Sequence, residues 1–267
     1  MSTFPRTPTL DLEQDGGWLT VWFNEPERRN PLSPARAADL AALAQALQPR
    51  RDIRGVTLRG RGAMFCAGAD LAALNSLRQA GRDDIEALSR EGARMYQAMA
   101  GLPQFVVAVI EGAAMGGGLG LACTADMVMA TPGARLALSE VRVGLVAAQI
   151  APFVIRRAGA AAARRLMLTG EQMPVETAMA VGLVDRIVPE DGFAEEIARL
   201  RATVRKAAPG SVAATKRLLA ALADLDQAGA VQAAARIFAD AACSGDGREG
   251  LASFAAKRPP DWTEKPC

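Results

Sequence analysis

The stretch "AMGGGLG" (114–120) places three consecutive glycines between an apolar segment and a stretch of small residues. The preceding "FVVAVIEG" (105–112) predicts a short buried strand, and the following "LACTAD" (121–126) continues a helix that the glycines open. Glycine costs stability in regular structure unless the bare backbone is needed. We therefore expect either close packing or a ligand against Gly116–Gly118, whose N–H groups stand at the start of a helix.

Strands and helices alternate on both sides of this stretch. "WLTVWFNEP" (18–26) and "DIRGVTLRG" (52–60) predict strands, and "NPLSPARAADLAALAQALQP" (30–49) predicts a helix capped by Ser33. A charged helix is expected over about residues 83–99. Further strands are predicted in "DMVMATPGARLALSE" (126–140) and "GLVDRIVP" (182–189). This alternation predicts an α/β core.

No strand pattern follows residue 191, where three alanine-rich amphipathic helices and a last short helix are predicted. Such a helical tail is expected to pack against a neighbouring chain.

Charge and targeting signals limit the classes of binding partner and the location that we expect for this protein. The chain has 31 basic and 29 acidic residues and a net charge of +2, which gives no electrostatic case for nucleic acid or a membrane surface. Its start shows no export signal, and its apolar runs are too short to span a bilayer. Four cysteines without a CxxC motif, Cys66, Cys123, Cys243 and Cys267, are expected to be reduced thiols, and we predict a cytoplasmic protein.

The sequence contains no histidine. Ser-His and Cys-His nucleophiles and histidine-based metal sites are therefore excluded, and no metal site is predicted. In an enzyme with this composition, carboxylates and backbone N–H groups must do the chemistry.

A second glycine turn, "GAMFCAGADL" (62–71), also follows a predicted strand. Its simplest interpretation is a strand-to-helix turn in which Asp70 caps the helix. Two such strand exits in one chain are also able to direct two N–H groups at one oxygen, which is the design of an oxyanion hole.

Four motifs in this order resemble the crotonase (enoyl-CoA hydratase/isomerase) superfamily: "MFCAGADL" (64–71), "GAAMGGGLGLACTAD" (112–126), "LALSEVRVGL" (136–145) and "EGLASFAAKRPPDW" (249–262). The resemblance implies an α/β spiral of stacked ββα turns over residues 1–200 and a helical trimerisation region over residues 201–267. It also implies a homotrimer or a dimer of trimers. The implied substrate is an acyl-CoA thioester, with no cofactor besides the coenzyme A that the substrate carries.

In the superfamily, two backbone N–H groups hold the thioester oxygen, and these map onto Ala69 and Gly117. The two-glutamate hydratases of the superfamily carry two acidic positions. One maps onto Glu140, and the other maps onto Gly120, so this chain keeps one carboxylate. A single glutamate suffices for a 1,3-proton shift, whereas water addition is normally shared by two carboxylates. The remaining acids Asp70, Asp126 and Glu111 are expected to be structural.

"VGLVAAQIAPFVIRRAG" (143–159) resembles the branch of hydratases that act on 3-methylglutaconyl-CoA-like or isohexenylglutaconyl-CoA-like substrates. In that branch Gln149, or a carboxylate of the substrate, would help to position the water. The alternative for Gln149 is a polar residue at a helix start.

The resemblance also implies where coenzyme A lies. The expected contacts are Arg28, Arg29, Ala67, Asp70, Leu71, Phe254 and Lys257, the last two from the same or a neighbouring chain. Solvated surface side chains are the alternative for the charged residues among them. Residues 74–84 are expected to form a variable, mobile segment over the acyl pocket.

The sequence thus predicts a hydratase of an enoyl-CoA, with a branched acyl chain as one option, in which Ala69 and Gly117 are the oxyanion donors and Glu140 is the acid and base. Two alternatives stay open: a Δ3,Δ2-enoyl-CoA isomerase that uses Glu140 alone, and a non-catalytic acyl-CoA-binding protein of the same fold.

Overall fold

Alternating strands and helices form the body of the protein, and the predicted α/β class is confirmed. The computed structural model describes residues 4–223 and 225–263, so the predicted thiol Cys267 lies outside the described residues. The strands are β1 (Leu10–Asp15), β2 (Trp18–Phe23), β3 (Gly55–Gly60), β4 (Phe105–Ile110), β5 (Ala113–Met115), β6 (Met127–Ala130), β7 (Arg135–Ala137), β8 (Gln172–Pro174) and β9 (Arg186–Ile187). The helices are α1 (Pro34–Leu47), α2 (Leu71–Ser76), α3 (Arg82–Ala100), α4 (Gly117–Ala122), α5 (Ala151–Thr169), α6 (Val175–Ala180), α7 (Phe193–Arg205), α8 (Pro209–Leu222), α9 (Gln227–Cys243) and α10 (Gly245–Ala255).

A mixed sheet in the order β1-β2-β3-β4-β6-β9 forms the centre of the fold. Its pairs are parallel except for the β1-β2 hairpin. Strand β4 is apolar throughout because both of its faces are covered: Val106, Ala108 and Ile110 belong to one core cluster, and Val107 and Val109 belong to the other.

A smaller sheet in the order β5-β7-β8 continues from the exit of β4. Strands β5 and β7 run parallel, with Met115 opposite Ala137. The ends of these two short strands therefore lie side by side, which brings the glycines after β5 close to the residues after β7.

Local capping follows the sequence prediction. The Ser33 side chain accepts a hydrogen bond from the Arg36 N–H at the start of α1, and Asp70 accepts from Ala72 and Ala73 at the start of α2. Both caps depend on contacts within three residues, which the sequence encodes directly.

Helices α7 to α10 form the tail. The predicted domain boundary between residues 200 and 201 falls inside α7, whose Phe193 and Val204 pack in the second core cluster. Helices α8, α9 and α10 contact one another and expose several large apolar side chains, namely Leu219, Val231, Phe238, Leu251 and Phe254. Trimerisation through this region stays a prediction.

Within residues 4–223 and 225–263, no helix is both long and apolar enough to cross a membrane. Cys66 and Cys123 are buried free thiols, and Cys243 is an exposed one. Burial raises the pKa of Cys66 to about 11 and that of Cys123 to about 12, so both are unreactive thiols at neutral pH.

Candidate active site

Two strand exits run side by side at the site. Cys66, in the loop after β3, forms a parallel bridge with Ala114 of β5. The Cys66 N–H donates to the Ala113 carbonyl at 3.1 Å, and the Met115 N–H donates to the Cys66 carbonyl at 3.0 Å. Because the two segments are parallel and in register at this bridge, Ala69 and Gly117 stand at the same offset of three residues beyond it.

Gly68 closes the approach of these segments. Its φ of +88° is a left-handed conformation that favours glycine, and a Cβ built on it would lie 2.7 Å from the Met115 carbonyl oxygen. Because Gly68 has no side chain, the chain can pass close to Met115 and place Ala69 near the start of α4.

Helix α4 begins at Gly117, after Gly116 with φ +49° and ψ −123°. The first N–H groups of a helix have no acceptor within it. The Gly117 N–H is therefore available for an external acceptor beside Ala69, as an oxyanion hole requires.

Glu140 follows β7 and faces Gly116. The Gly116 N–H donates to the Ala137 carbonyl at 2.8 Å, which fixes the end of β7 against the glycines. The Glu140 Oε1 atom lies 2.9 Å from the position of a Cβ built on Gly116. Its Oε2 atom is buried and has no hydrogen-bond partner among the described residues. Burial raises the pKa of the Glu140 carboxyl group, which suits a group that both accepts and returns a proton.

Gly120, the position of the absent glutamate, faces Ile150. A Cβ built on Gly120 would lie 2.1 Å from Ile150 Cγ2 and 2.5 Å from Ile150 Cβ. The buried Ile150 side chain therefore occupies the space into which a residue at position 120 would project.

A cavity of about 380 Å³ opens beside Ala69. Its lining is mainly apolar and includes Leu32, Leu74, Leu77, Leu88, Met95 and Tyr96. The segment predicted to cover the acyl pocket thus contributes Leu74 and Leu77 to this cavity; its mobility and its role in specificity stay predictions.

Tyr96 is a site residue that the sequence analysis missed. It is the single tyrosine of the chain, and its hydroxyl donates a hydrogen bond to the Gly117 carbonyl at 3.1 Å. Its contact with Gly117 spans 21 positions and depends on how α3 packs against α4. The signal for Tyr96 in the sequence is that a lone tyrosine lies on the apolar face of a predicted helix.

The side chain of Asp70 has a structural role. One carboxylate oxygen caps α2, and the other forms an ion pair with Arg28, which also pairs with Glu25 at 2.7 Å. Both carboxylate oxygens of Asp70 therefore have partners within the chain, and its contact with coenzyme A stays a prediction. The half-exposed Arg28 keeps part of its guanidinium at the surface.

The other predicted coenzyme A contacts fall in two places. Arg29 is exposed, and its carbonyl accepts a hydrogen bond from the Ala67 N–H at 3.0 Å, so this loop lies beside the site; Leu71 is 77% exposed at the start of α2. Phe254, 86% exposed, and Lys257 lie at the end of α10, which packs on α8 and α9. The structure therefore places Arg29, Ala67 and Leu71 at the site, and it places Phe254 and Lys257 on the helical tail.

Gln149 does not present a free side chain. Its amide donates to the Ser89 hydroxyl at 2.9 Å, and it lines a different cavity from Ala69. Neither is it a helix cap, because Ile150 takes that position in α5. Gln149 therefore connects the loop before α5 to α3.

The two remaining acids have structural partners. Glu111 forms a bidentate pair with Arg59 at 2.9 and 2.6 Å. Asp126 accepts from the Val106 N–H at 2.7 Å and from the Lys216 ammonium at 2.5 Å. In the part of the chain that the structure describes, no cluster of three or more His, Cys, Asp or Glu residues is arranged to hold a metal ion.

The chain is similar to known proteins along nearly its whole length. Residues 13–265 match the family model described as enoyl-CoA hydratase/isomerase. A relative from Thermus thermophilus that bears an enoyl-CoA hydratase name is 38% identical over 247 residues, which cover 92% of this chain and 98% of that protein. Pseudomonas aeruginosa AtuE superposes with a TM-score of 0.91 at 37% identity, covering 96% of this chain and 100% of that one. An enoyl-CoA hydratase/isomerase from Marinobacter aquaeolei superposes with a TM-score of 0.90 at 37% identity, covering 96% of this chain and 99% of the other.

Proposed function

The chain belongs to the enoyl-CoA hydratase/isomerase family, and we propose that it adds water across the double bond of an enoyl-CoA thioester. The resemblance to the crotonase superfamily and the α/β fold that it implies are confirmed, and trimerisation through the tail stays a prediction. The observation that carries the proposed reaction is the position of Glu140, whose Oε1 faces Gly116, the residue before the proposed oxyanion donor Gly117.

The thioester oxygen is the proposed ligand of the Ala69 and Gly117 N–H groups. When a nucleophile adds to the β carbon of an enoyl thioester, negative charge moves to this oxygen as an enolate. Preorganised N–H donors stabilise such a charge, and loss of one donor typically costs about 100- to 1000-fold in rate. The parallel offset of Ala69 and Gly117 beyond the Cys66–Ala114 bridge supports this role.

Glu140 is the proposed acid and base. It takes a proton from the water as the C–O bond forms at the β carbon and then returns the proton to the α carbon. A raised pKa favours this exchange because the carboxyl group must hold the proton for part of the cycle.

The proposed acyl site is the apolar cavity next to Ala69, which suits a hydrocarbon acyl chain, including a branched one. The coenzyme A portion is proposed to lie along Arg28, Arg29, Ala67, Asp70 and Leu71. Because Phe254 and Lys257 lie on the tail, we propose that they reach the substrate of a neighbouring copy in a homotrimer or homohexamer. No cofactor is proposed beyond the coenzyme A of the substrate.

Isomerisation of a 3-enoyl-CoA is the second candidate. It is favoured by the contact between Gly120 and Ile150, because the place of a second carboxylate is filled. Glu140 alone is chemically sufficient to move a proton between two carbons. The third candidate, a non-catalytic acyl-CoA-binding protein, keeps the oxyanion geometry and turns over neither substrate.

One assay separates these candidates. Purified protein is incubated with crotonyl-CoA, with 3-methylglutaconyl-CoA and with a 3-enoyl-CoA while the absorbance of the conjugated thioester is followed. Hydration lowers this absorbance, and isomerisation of the 3-enoyl substrate raises it. We expect a fall with at least one 2-enoyl substrate; a rise with the 3-enoyl substrate and no hydration would replace the hydratase by the isomerase, and binding without turnover would leave the binding protein.

A further inference from the structure

Tyr96 stands beside both proposed catalytic elements. Its side chain lies on α3, is 6% exposed and lines the cavity that contains Ala69. A Cβ built on Gly117 would lie 2.7 Å from the Tyr96 hydroxyl oxygen, just as one built on Gly116 would lie 2.9 Å from Glu140 Oε1. The hydroxyl and the carboxylate thus approach adjacent glycines of one turn.

The Tyr96 hydroxyl stays protonated. Burial raises its pKa, and the nearby groups Cys66 and Glu140 raise it further. The proton is already directed to the Gly117 carbonyl, so the oxygen's lone pairs are left to accept a hydrogen bond. The described residues donate no hydrogen bond to this oxygen.

We propose that the Tyr96 hydroxyl oxygen binds the water that Glu140 activates, and so supplies the hydrogen bond that a second carboxylate provides in two-glutamate hydratases. This inference rests on the proposed function. It accounts for hydration by a chain in which Ile150 fills the space at Gly120.

The proposed step consumes one water molecule and leaves the side chains of Glu140 and Tyr96 unchanged at its end. The water donates one hydrogen bond to Glu140 and the other to the Tyr96 oxygen. As its oxygen bonds to the β carbon, its proton passes to Glu140, and the electron pair of the double bond moves to the α carbon and the thioester oxygen. Glu140 then protonates the α carbon, while Tyr96 keeps its own proton throughout.

The test compares two reactions in Tyr96→Phe, which removes only the hydroxyl. The first is hydration of crotonyl-CoA. The second is exchange of the α protons of butyryl-CoA with deuterium from the solvent, which needs Glu140 and the oxyanion donors but adds no water. We expect kcat for hydration to fall about 10- to 100-fold with KM near that of the parent, and α-proton exchange to stay within about twofold.

Phe153→Leu is the matched control. The Phe153 ring lies 6.1 Å from the Tyr96 ring, so this variant disturbs the packing and keeps the hydroxyl. We expect the ratio of hydration to exchange to remain at the parent value. Equal losses of both reactions in Tyr96→Phe would overturn the inference, because Tyr96 would then only hold the Gly117 peptide in place.

Three further results separate this inference from the proposed function. A parent that hydrates crotonyl-CoA, with Tyr96→Phe hydrating at the same rate, overturns the assignment to Tyr96 and keeps the hydratase. A parent that neither hydrates an enoyl-CoA nor exchanges α protons overturns the proposed function and the inference with it. A parent that exchanges without hydrating also overturns the inference and favours the isomerase.

Discussion

Ile150 and Gly120 are in such close contact that position 120 has no room for a side chain: Ile150 Cγ2 lies 2.1 Å from a Cβ built on Gly120. The position onto which a second carboxylate of the two-glutamate pattern maps is therefore filled by a side chain that lies 30 positions further along the chain. We therefore expect a carboxylate at position 120 to fit only when Ile150 is replaced as well.

Gly120→Ala is expected to destabilise the fold by about 1–3 kcal/mol, because overpacking a tight core displaces neighbouring side chains. Gly133→Ala is the matched control, since a Cβ on Gly133 meets nothing within 4 Å. Thermal unfolding of both variants measures the difference. We also expect Ile150→Ala to recover part of the loss in the Gly120→Ala background, because contacting residues couple; equal melting temperatures for the two glycine variants would contradict the packing.

Gly117→Ala is expected to lower kcat for hydration by about 100-fold, of the order lost with one oxyanion donor. The new Cβ would lie 2.7 Å from the Tyr96 hydroxyl and 3.3 Å from Leu32 Cδ2, so the turn must shift. Steady-state kinetics with crotonyl-CoA test this, with Gly133→Ala as control. A kcat at the parent value would show that the main chain at Gly117 does not hold the thioester.

The stability of the fold is expected to depend on Glu140 and on pH. Burial raises the pKa of this carboxyl group in the folded state above its unfolded value of 4.5. The folded protein then binds the proton more readily, so this contribution to stability is fully present below the unfolded pKa and is lost as pH rises through the folded one. Unfolding in denaturant should show Glu140→Gln to be more stable than the parent at pH 7, with the difference vanishing near pH 4. A difference that grows towards low pH would contradict the direction of the shift.

Assembly through the helical tail is expected to give a particle of three or six chains of 27.9 kDa each. Phe238 is 76% exposed on α9, and an aromatic ring left in water favours burial against another chain. Light scattering coupled to gel filtration should show Phe238→Glu shifted towards the monomer. Phe238→Leu, which keeps the apolar surface, should retain the parent mass, and a monomeric parent would contradict the prediction.

The sequence predicts the features that depend on neighbouring residues. The caps at Ser33 and Asp70 are satisfied within three residues, and the alternating strands and helices follow from local patterns. The sequence motifs also identify the candidates Ala69, Gly117 and Glu140, whose roles stay proposals.

The features that the sequence does not predict depend on contacts between distant segments. The ion pair of Arg28 with Asp70 spans 42 positions, and the hydrogen bond of Tyr96 with Gly117 spans 21. No periodicity records such contacts, because packing decides which side chains meet. For the same reason, the pairing of Gln149 with Ser89 appears only in the folded chain.

We propose that Glu140 carries the proton in water addition. The most direct measurement is the rate of crotonyl-CoA hydration by Glu140→Gln beside the parent, with acyl-CoA binding measured on the same samples. We predict a fall in kcat of at least about 100-fold, the range of general acid–base catalysis, with binding retained. Turnover by Glu140→Gln at the parent rate would contradict the claim.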